Sequence, residues 1–500
     1  MGNYMGYGSA EREETGPGKR KRDDKEDELE SEDLEELKLE TPKRKKMKNT
    51  AEYIYETLFL HGENSDIRII ALGREWPLHK IYLCQSGFFS SMFSGSWKES
   101  NLSEVTLNIP DDNIDEEALQ IAFGSLYRDD VLIKPSRVVS VLAAASLLQL
   151  DGLIQQCADI MKETISSKTV CSYHQAAMMY GQEEVSNRCL DWLEKNLMAQ
   201  QSIPLLKELS VDLMVKLVRS PSLFVMQVEM DVYTMLKKWS FLKLHPDWNL
   251  PIKQLMSETD QYFIGRNTAS DTGDSVSFFL ESVEGGQFVS VFQNVRLKHI
   301  INDLMSTRVI NRDRIIPIAW MLPVFQQQWL AMLCIEQDTN QSALNDISEV
   351  DFNRHCMRCG RKLPKDGEYC WRWTGFNYGL DLLVTYTNGL LFLRRNTTNR
   401  PCATSVSLQA QRQVYARVSV VSYDSSGELK YEKHTKMTKL SLGKDEETLL
   451  MTVDRQATFP LHVSVNFLYV PPPPSQSGTS PTKDPPSPAA NQDRHVEGSL

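Results

Sequence analysis

The chain has 500 residues, of which 41% are hydrophobic and 24% are charged, and its formal net charge is −11 at pH 7. A single hydrophobic core stops growing near roughly 250 to 300 residues, so a chain of this length predicts about three domains. The composition is typical of a globular protein, and the acidic balance gives no overall attraction to nucleic acid. Direct nucleic-acid binding as a general function is therefore excluded.

Membrane insertion and secretion are not indicated by the sequence. The longest uncharged apolar stretch, Val138 to Leu150, is shorter than the roughly 18 residues that a membrane span needs. The chain does not open with a basic region followed by an apolar region, and nine cysteines are scattered without the close, even spacing of a disulfide framework. These features predict no transmembrane segment and favour a reducing compartment.

Residues 1–50 are nearly all polar and alternate blocks of opposite charge. Because they offer too little apolar area to offset chain entropy, we expect a disordered arm. The arm carries two basic clusters, which are Lys19, Arg20, Lys21 and Arg22, and Lys43, Arg44, Lys45 and Lys46. Such clusters in a flexible arm are typical of a nuclear import signal and predict a nuclear protein, the alternative being an incidental run of solvated charge.

The two chain ends carry weaker signals. Gly2 has the position that N-myristoylation requires, but Gly6 stands where that motif needs Ser or Thr. A glycine that merely follows the initiator is therefore the favoured reading, and Gly2 stays a candidate lipidation residue. Residues 471–500 are rich in Pro and Ser and are predicted to form a disordered tail.

Order is predicted to begin near Ala51, with a segment of mixed α and β structure. Two short apolar runs on either side of Gly73 predict a hairpin, and a helix is expected to follow from His79. The next runs predict, in order, a strand (VTLNIP), an amphipathic helix (IDEEALQIAFGSLY) and a strand (DDVLI). Two further helices are expected between Ser136 and Ile165.

Four motifs in residues 51–165 resemble the BTB (POZ) domain family. They are Asp66, the sequence WPLHK from Trp76 to Lys80, the run FFSSMFSGSWKES, and IAFGSLY from Ile121 to Tyr127. The resemblance implies a sheet packed on helices, and a homodimer, since many members dimerise. His79 falls on the recurring histidine of the family, and without acidic partners it is expected to be structural.

The Phe-rich run raises the question of partner binding. In BTB domains that recruit cullin-3, a hydrophobic residue, any residue and Glu follow this helix, and the triplet from Trp97 to Glu99 matches that pattern. The resemblance therefore assigns Phe93, Trp97 and Glu99 to a cullin-binding surface, while Phe88, Phe89 and Phe93 are expected to lie mostly in the core. An exposed apolar anchor would supply most of the contact energy. The alternative is that Trp97 covers the domain's own core.

Residues 166–260 show only helical periodicity. Val185, Cys189, Leu193 and Leu197 recur on one helical face, as buried core residues do. The segment resembles the BACK helical domain, which in cullin adaptors follows the BTB domain and separates the cullin from the module that binds the substrate.

Residues 261–470 lack the repeats near 40 to 50 residues that a propeller would show. They contain helical stretches (VFQNVRLKHIINDLM and IAWMLPVFQQQWLAML) and then strands. The phrases RLKHIINDL, QQQWLAML, YCWRWTGFNYGLDLLVTYTN and FPLHVSVNFLY resemble the germ cell-less family. The predicted fold class is α+β multidomain: a BTB/POZ domain, an all-α BACK domain and a β-rich C-terminal domain with some helices, between disordered tails.

The sequence HCMRCG suggests a metal site that its surroundings do not complete. Cys356 and Cys359 have the spacing of a zinc knuckle, but no second pair follows, because Cys370 stands alone and Cys402 is distant. His355 adjoins Cys356 and is poorly placed to join the same tetrahedron. Free thiols are therefore favoured, and no metal and no cofactor are expected.

The motifs of common enzyme classes are absent from the sequence, including G-x-S-x-G, H-E-x-x-H and a P-loop. A non-enzymatic function is therefore expected, for which the resemblance implies two hypotheses. The first is a substrate adaptor of a cullin-3 ubiquitin ligase with a role in germ-cell development and spermatogenesis; its partners would be cullin-3, a second copy of the chain and an unidentified target. The second is a nuclear-envelope scaffold or transcriptional co-regulator, which would bind nuclear-envelope proteins or the dimerisation partner of a cell-cycle transcription factor.

Overall fold

The computed structural model describes residues 50–94, 102–129, 131–269, 278–337, 347–377, 380–395, 411–423, 429–443 and 446–469. Both basic clusters, Gly2, Trp97, Glu99 and the Pro- and Ser-rich tail lie outside these ranges. The chain forms two compact units, one of residues 1–110 with 119–132 and one of residues 111–118 with 133–500. Among the described helices, none is long and apolar enough to cross a membrane.

The first unit combines a small sheet with short helices. Its elements are α1 (Thr50–Tyr53), a π-helix (Ile54–Leu60), β1 (Ile67–Ala71), β2 (Arg74–Leu78), α2 (Lys80–Leu83), α3 (Gly87–Phe93), β3 (Glu104–Thr106) and α4 (Glu116–Gly124), whose first three residues belong to the second unit. The strand order is β2-β1-β3, with β1 antiparallel to β2 and parallel to β3. The predicted hairpin is confirmed, and Leu72 and Gly73 turn it with positive φ angles, as tight hairpins of this kind require.

The core of the first unit lies between the sheet and the helices. Ile67 and Ile69 alternate with exposed positions along β1 and are buried, as expected for a strand with one face on the core. Trp76 packs edge to face on Phe123, with 5.4 Å between the ring centroids. The strand predicted at DDVLI is wrong for its described part: residues 131–133 pair with no described strand, although Val131 and Ile133 are buried on either side of Leu132, which is 85% exposed.

The second unit begins with helices. They are α5 (Val138–Leu147), α6 (Asp151–Glu163), α7 (Val170–Met179), α8 (Glu183–Asn196), α9 (Ile203–Glu208), α10 (Val211–Arg219), α11 (Glu229–Leu244) and α12 (Ile252–Ala269). The predicted core stripe of α8 is confirmed, since Val185, Cys189 and Leu193 are fully buried. The helical character predicted for residues 166–260 is confirmed as well, whereas the boundaries of a BACK domain stay a prediction.

The segment between the helices and the sheets contains more short helical elements than the sequence indicated. It contains the 3-10 turns Phe279–Glu281, Gly286–Phe288 and Leu297–His299 and the helices α13 (Val289–Phe292), α14 (Leu304–Asp313), α15 (Ile318–Gln337) and α16 (Glu349–His355). The helical stretch predicted for VFQNVRLKHIINDLM is therefore divided among the end of α13, the 3-10 turn Leu297–His299 and the start of α14. Asp303 explains one break, because its side chain accepts hydrogen bonds from the backbone N–H groups of Met305 and Ser306 and so starts a new helix.

Two antiparallel sheets complete the second unit. Their strands are β4 (Met357–Leu363), β5 (Tyr369–Asn377), β6 (Leu380–Thr387), β7 (Leu390–Arg395), β8 (Gln411–Tyr423), β9 (Leu429–His434), β10 (Thr438–Gly443), β11 (Glu447–Thr452) and β12 (Leu461–Leu468). One sheet has the order β10-β8-β12-β4 with β9 also on β8, and the other has the order β11-β7-β6-β5. Side chains from both sheets share one core, so the β-rich C-terminal region that the sequence predicted is a two-sheet sandwich.

Candidate functional site

The Phe-rich run forms α3, a helix of two turns in the first unit. It begins after Ser86, whose hydroxyl accepts a hydrogen bond from the backbone N–H of Phe89 at 3.3 Å. This is the N-cap arrangement that serine favours. The helix ends at Phe93, so the predicted anchor triplet, Trp97 to Glu99, follows it within a few residues but lies outside the described part of the chain.

The three phenylalanines of α3 differ in burial. Phe89 is fully buried, while Phe88 and Phe93 are only partly buried. Phe93 stacks on Phe89 with 5.8 Å between centroids, and the Lys80 ammonium lies 5.5 Å from the Phe93 ring centroid. The structure therefore leaves part of Phe93 accessible at the end of α3, beside a cation.

His79 forms hydrogen bonds that fix the chain at the start of α2. Its backbone N–H donates to the Tyr127 hydroxyl at 2.9 Å, and its ring nitrogens lie 3.1 Å from that hydroxyl and 2.9 Å from the Glu63 carbonyl oxygen. Asp66 accepts from the backbone N–H of Lys80 at 2.8 Å and thereby caps the same helix. These residues, which carried much of the BTB resemblance, have structural roles, as expected for His79.

A partly exposed apolar surface precedes the sheet. Phe59 of the π-helix is buried against Tyr127, with 5.2 Å between centroids, whereas Tyr53 at the end of α1 and Leu60 at the end of the π-helix are each 52% exposed. Exposed apolar side chains at neighbouring positions are typical of association surfaces. This surface is the structural candidate for the predicted self-association.

In the second unit, a buried ion pair joins the helical part to the sandwich. Both Glu229 of α11 and Arg358 of β4 have fully buried side chains, and the guanidinium donates two bonds of 2.8 and 2.9 Å to the carboxylate. Arg358 also donates to the carbonyl oxygens of Val218 and Ser220 at the end of α10. Burial opposes ionisation, but the charge and hydrogen bonds of Arg358 hold the pKa of Glu229 below its usual value.

Beside this junction lies a cleft of about 1030 Å³. It is bounded by the end of α10, the segment from Phe292 to Lys298, α15 and α16. Its charged lining residues are Lys216, Arg219, Arg296, Lys298 and Arg354, and His355 also lines it. No Asp or Glu stands among its described lining residues, and we call it the cationic cleft.

The floor of the cationic cleft is fixed by hydrogen bonds. Arg296 donates to the carbonyl oxygens of Asn353 and Cys356, the former at 2.9 Å.

Burial, reinforced by the charge of Arg296, lowers the pKa of Lys298 to about 8. Burial, reinforced by Lys298, lowers the pKa of His355 to about 4. At neutral pH the cleft therefore carries arginine and lysine charges, and His355 is neutral.

The cysteines of HCMRCG are built into this framework. The Cys356 thiol accepts a hydrogen bond from Arg296 at 2.9 Å, and Cys359 lies fully buried in the sandwich core. Burial raises the pKa of Cys359 well above its usual value. Cys370 is exposed on β5. Within the described ranges, no group of three or more His, Cys, Asp or Glu residues is placed to hold a metal ion.

Sequence reasoning did not anticipate the cationic cleft. Its charged residues are isolated Lys and Arg in three separated stretches, and none of them forms a motif. Arg354 and His355 adjoin the sequence that suggested zinc, but their contribution to a cleft has no local signal. Only the packing of α16 against the segment from Phe292 to Lys298 reveals it.

The fold of the first unit and its capping network are those of a BTB/POZ domain protein, and the family model described as BTB/POZ domain matches residues 55–165. Germ cell-less protein-like 1 of Homo sapiens is 56% identical over 441 residues, which cover 88% of this chain and 85% of that protein. Protein germ cell-less of Drosophila melanogaster is 36% identical over 463 residues, with 89% and 81% covered. Kelch repeat and BTB domain-containing protein 2 of Homo sapiens is 26% identical over 166 residues, with 33% and 26% covered. The chain belongs to the germ cell-less family, as its sequence motifs predicted.

Proposed function

We propose that this protein is a substrate adaptor of a cullin-3 ubiquitin ligase. In this proposal the BTB domain binds cullin-3, and the C-terminal domain, residues 261–470, holds the target while other subunits transfer ubiquitin. The chain itself is then not an enzyme and uses no cofactor. Its membership of a family named for germ cells supports a role in germ-cell development and spermatogenesis.

The observation that carries the proposal is the accessible end of α3. Phe93 is partly exposed there, and the sequence that follows supplies the Trp-Lys-Glu triplet of a cullin-binding surface. A tryptophan anchor with an acidic neighbour is a common composition for a binding hot spot, because the ring supplies contact area and the carboxylate fixes orientation. Phe93, Trp97 and Glu99 are accordingly the proposed contact residues.

The test separates docking from core packing. Trp97→Ala is expected to weaken binding of purified cullin-3 by about 2 kcal/mol or more, and Glu99→Ala by about 1 kcal/mol or less, with little change in melting temperature. Leu72→Ala is the matched control, because Leu72 is an apolar residue that is 48% exposed in the β1–β2 turn. A Trp97→Ala protein that melts far below wild type would instead indicate a buried ring, whose loss costs about 3 to 5 kcal/mol. One that melts normally and binds cullin-3 at full strength would contradict the assignment.

The same measurement addresses the second hypothesis. A nuclear-envelope scaffold or co-regulator needs no contact with cullin-3, so absence of binding by the wild-type chain would favour it. Under either function we place the protein in the nucleus on the strength of its two basic clusters. Replacing both clusters with neutral residues should move a fluorescent fusion to the cytoplasm, and unchanged nuclear fluorescence would rule this out.

A further inference from the structure

The charge of the cationic cleft is opposite to that of the whole molecule. The chain has a net charge of −11, yet five Lys and Arg residues and no described acidic residue line the cleft. An acidic protein that concentrates one sign of charge in a concave site raises the local concentration of anions there. The cleft is thus suited to an anionic ligand.

Four of these cations have no ionic partner in the described structure. Lys216, Arg219, Lys298 and Arg354 form no ion pair with any described carboxylate, whereas Arg358 near by is fully paired. Lys216, Arg219 and Arg354 are exposed at the rim. Their charges therefore face the opening of the cleft and stay available to a ligand.

The interior of the cleft also bears on the class of ligand. Trp320 and Val324 of α15 and Val350 of α16 add apolar surface to its walls. A ligand that matches both the charge and this apolar surface carries negative charge and apolar side chains.

A peptide with acidic side chains has this combination, and a free inorganic anion does not. The cations come from three separate segments of the chain, α10, the segment from Phe292 to Lys298 and α16, rather than from one point, which fits several charges spread along an extended segment. We propose that the cationic cleft binds a carboxylate-rich peptide segment of a partner protein through Lys216, Arg219, Lys298 and Arg354. This inference rests on the proposed adaptor function only in making that partner the target for ubiquitin transfer.

The test measures peptide binding to the purified full-length chain by fluorescence anisotropy. The probe is a labelled dodecapeptide of Glu-Glu-Leu repeats, and the comparison peptides replace every Glu with Gln or a single Glu with phosphoserine. The protein variant is Lys216→Glu, Arg219→Glu and Arg354→Glu combined. Its control is Lys134→Glu, Lys253→Glu and Arg308→Glu combined, which changes three exposed cations outside the cleft and alters the net charge equally.

We expect the Glu peptide to bind at least tenfold more tightly than the Gln peptide, and the cleft variant to lose at least tenfold in affinity for it. The control should bind like wild type. Equal binding of the Glu and Gln peptides, or equal loss in both variants, would overturn the proposal. Binding only of the phosphoserine peptide would overturn the choice of carboxylates. Cullin-3 binding by the cleft variant, measured in parallel, reports on the adaptor function separately, because the substitutions lie outside the BTB match of residues 55–165.

Discussion

At the scale of single residues, the buried pair Glu229 and Arg358 makes a specific prediction about stability. Glu229→Gln leaves the Arg358 cation buried without a counter-charge, so the free energy of unfolding should fall by about 3 to 5 kcal/mol. Arg358→Met should cost a similar amount, and the double variant should cost less than the sum of the two. Urea denaturation of the four proteins measures these differences.

The control for this pair is an exposed one. Arg68 and Glu75 lie 3.4 Å apart with side chains more than half exposed, so Glu75→Gln should change stability by less than about 1 kcal/mol. A Glu229→Gln protein as stable as the Glu75→Gln protein would contradict the prediction. Because the pKa of Glu229 is held below its usual value of 4.5, its contribution is present above about pH 4.5 and is lost as the pH falls through the lowered pKa.

Removing the charge of Lys298 should raise the free energy of unfolding, whereas removing that of Glu229 should lower it. Its pKa is lowered from 10.5 to about 8, so at neutral pH the folded protein holds a charge that the unfolded chain solvates better. Lys298→Met, which keeps the aliphatic length, should therefore raise the free energy of unfolding at pH 7 by about 1 to 3 kcal/mol.

The pH dependence provides the check on Lys298. Between about pH 8 and pH 10.5 the unfolded chain binds the extra proton, so this residue makes wild-type stability rise with pH across that window. The advantage of Lys298→Met should accordingly shrink from pH 7 to pH 10 when melting temperatures are compared. If the Lys298→Met variant is less stable than wild type at pH 7, then burial of the Lys298 charge does not destabilise the folded protein.

At the scale of elements, the turn between β6 and β7 depends on glycine. Gly389 has φ of +76°, and a Cβ atom there would lie 3.1 Å from the carbonyl oxygen of Val453. Gly73 in the β1–β2 turn has φ of +77° with no atom within 4 Å of such a Cβ. Gly73→Ala should cost about 1 kcal/mol from backbone strain alone, and Gly389→Ala should cost more because of the added contact. Thermal unfolding of both variants checks this, and equal costs would show that Val453 moves away freely.

At the scale of the whole molecule, the exposed apolar surface of the π-helix region predicts a homodimer. Light scattering of the full chain at micromolar concentration should give twice the monomer mass of 57.1 kDa, because self-association would cover Tyr53 and Leu60. Tyr53→Glu with Leu60→Glu should shift the mass to that of the monomer, whereas Leu72→Glu, which charges an exposed turn residue, should not. A wild-type chain of monomer mass would disprove the prediction.

Much of the architecture was predictable because its signals are local. The two apolar runs on either side of Gly73 predicted a hairpin, and the repeat of Val185, Cys189 and Leu193 predicted a buried helical face, since each pattern depends only on nearby residues. The motifs around His79 likewise predicted the BTB family. The anchor triplet at Trp97 was predicted by the same kind of local resemblance, and its role stays a prediction.

Other features depend on which distant residues meet. The segment predicted as a strand at DDVLI has buried residues at Val131 and Ile133, yet no described strand lies beside it to pair with. Glu229 and Arg358 are 129 positions apart, and the cationic cleft takes its charges from three separated stretches. The sequence by itself determined most of the helices and strands, the family and the acidic net charge, because periodicity, motifs and composition are properties of neighbouring residues or simple sums. Only the tertiary structure decided where the cationic cleft lies. Packing brings Lys and Arg residues from distant parts of the chain together in a concave site without acidic residues, and only there do their charges act together on a ligand.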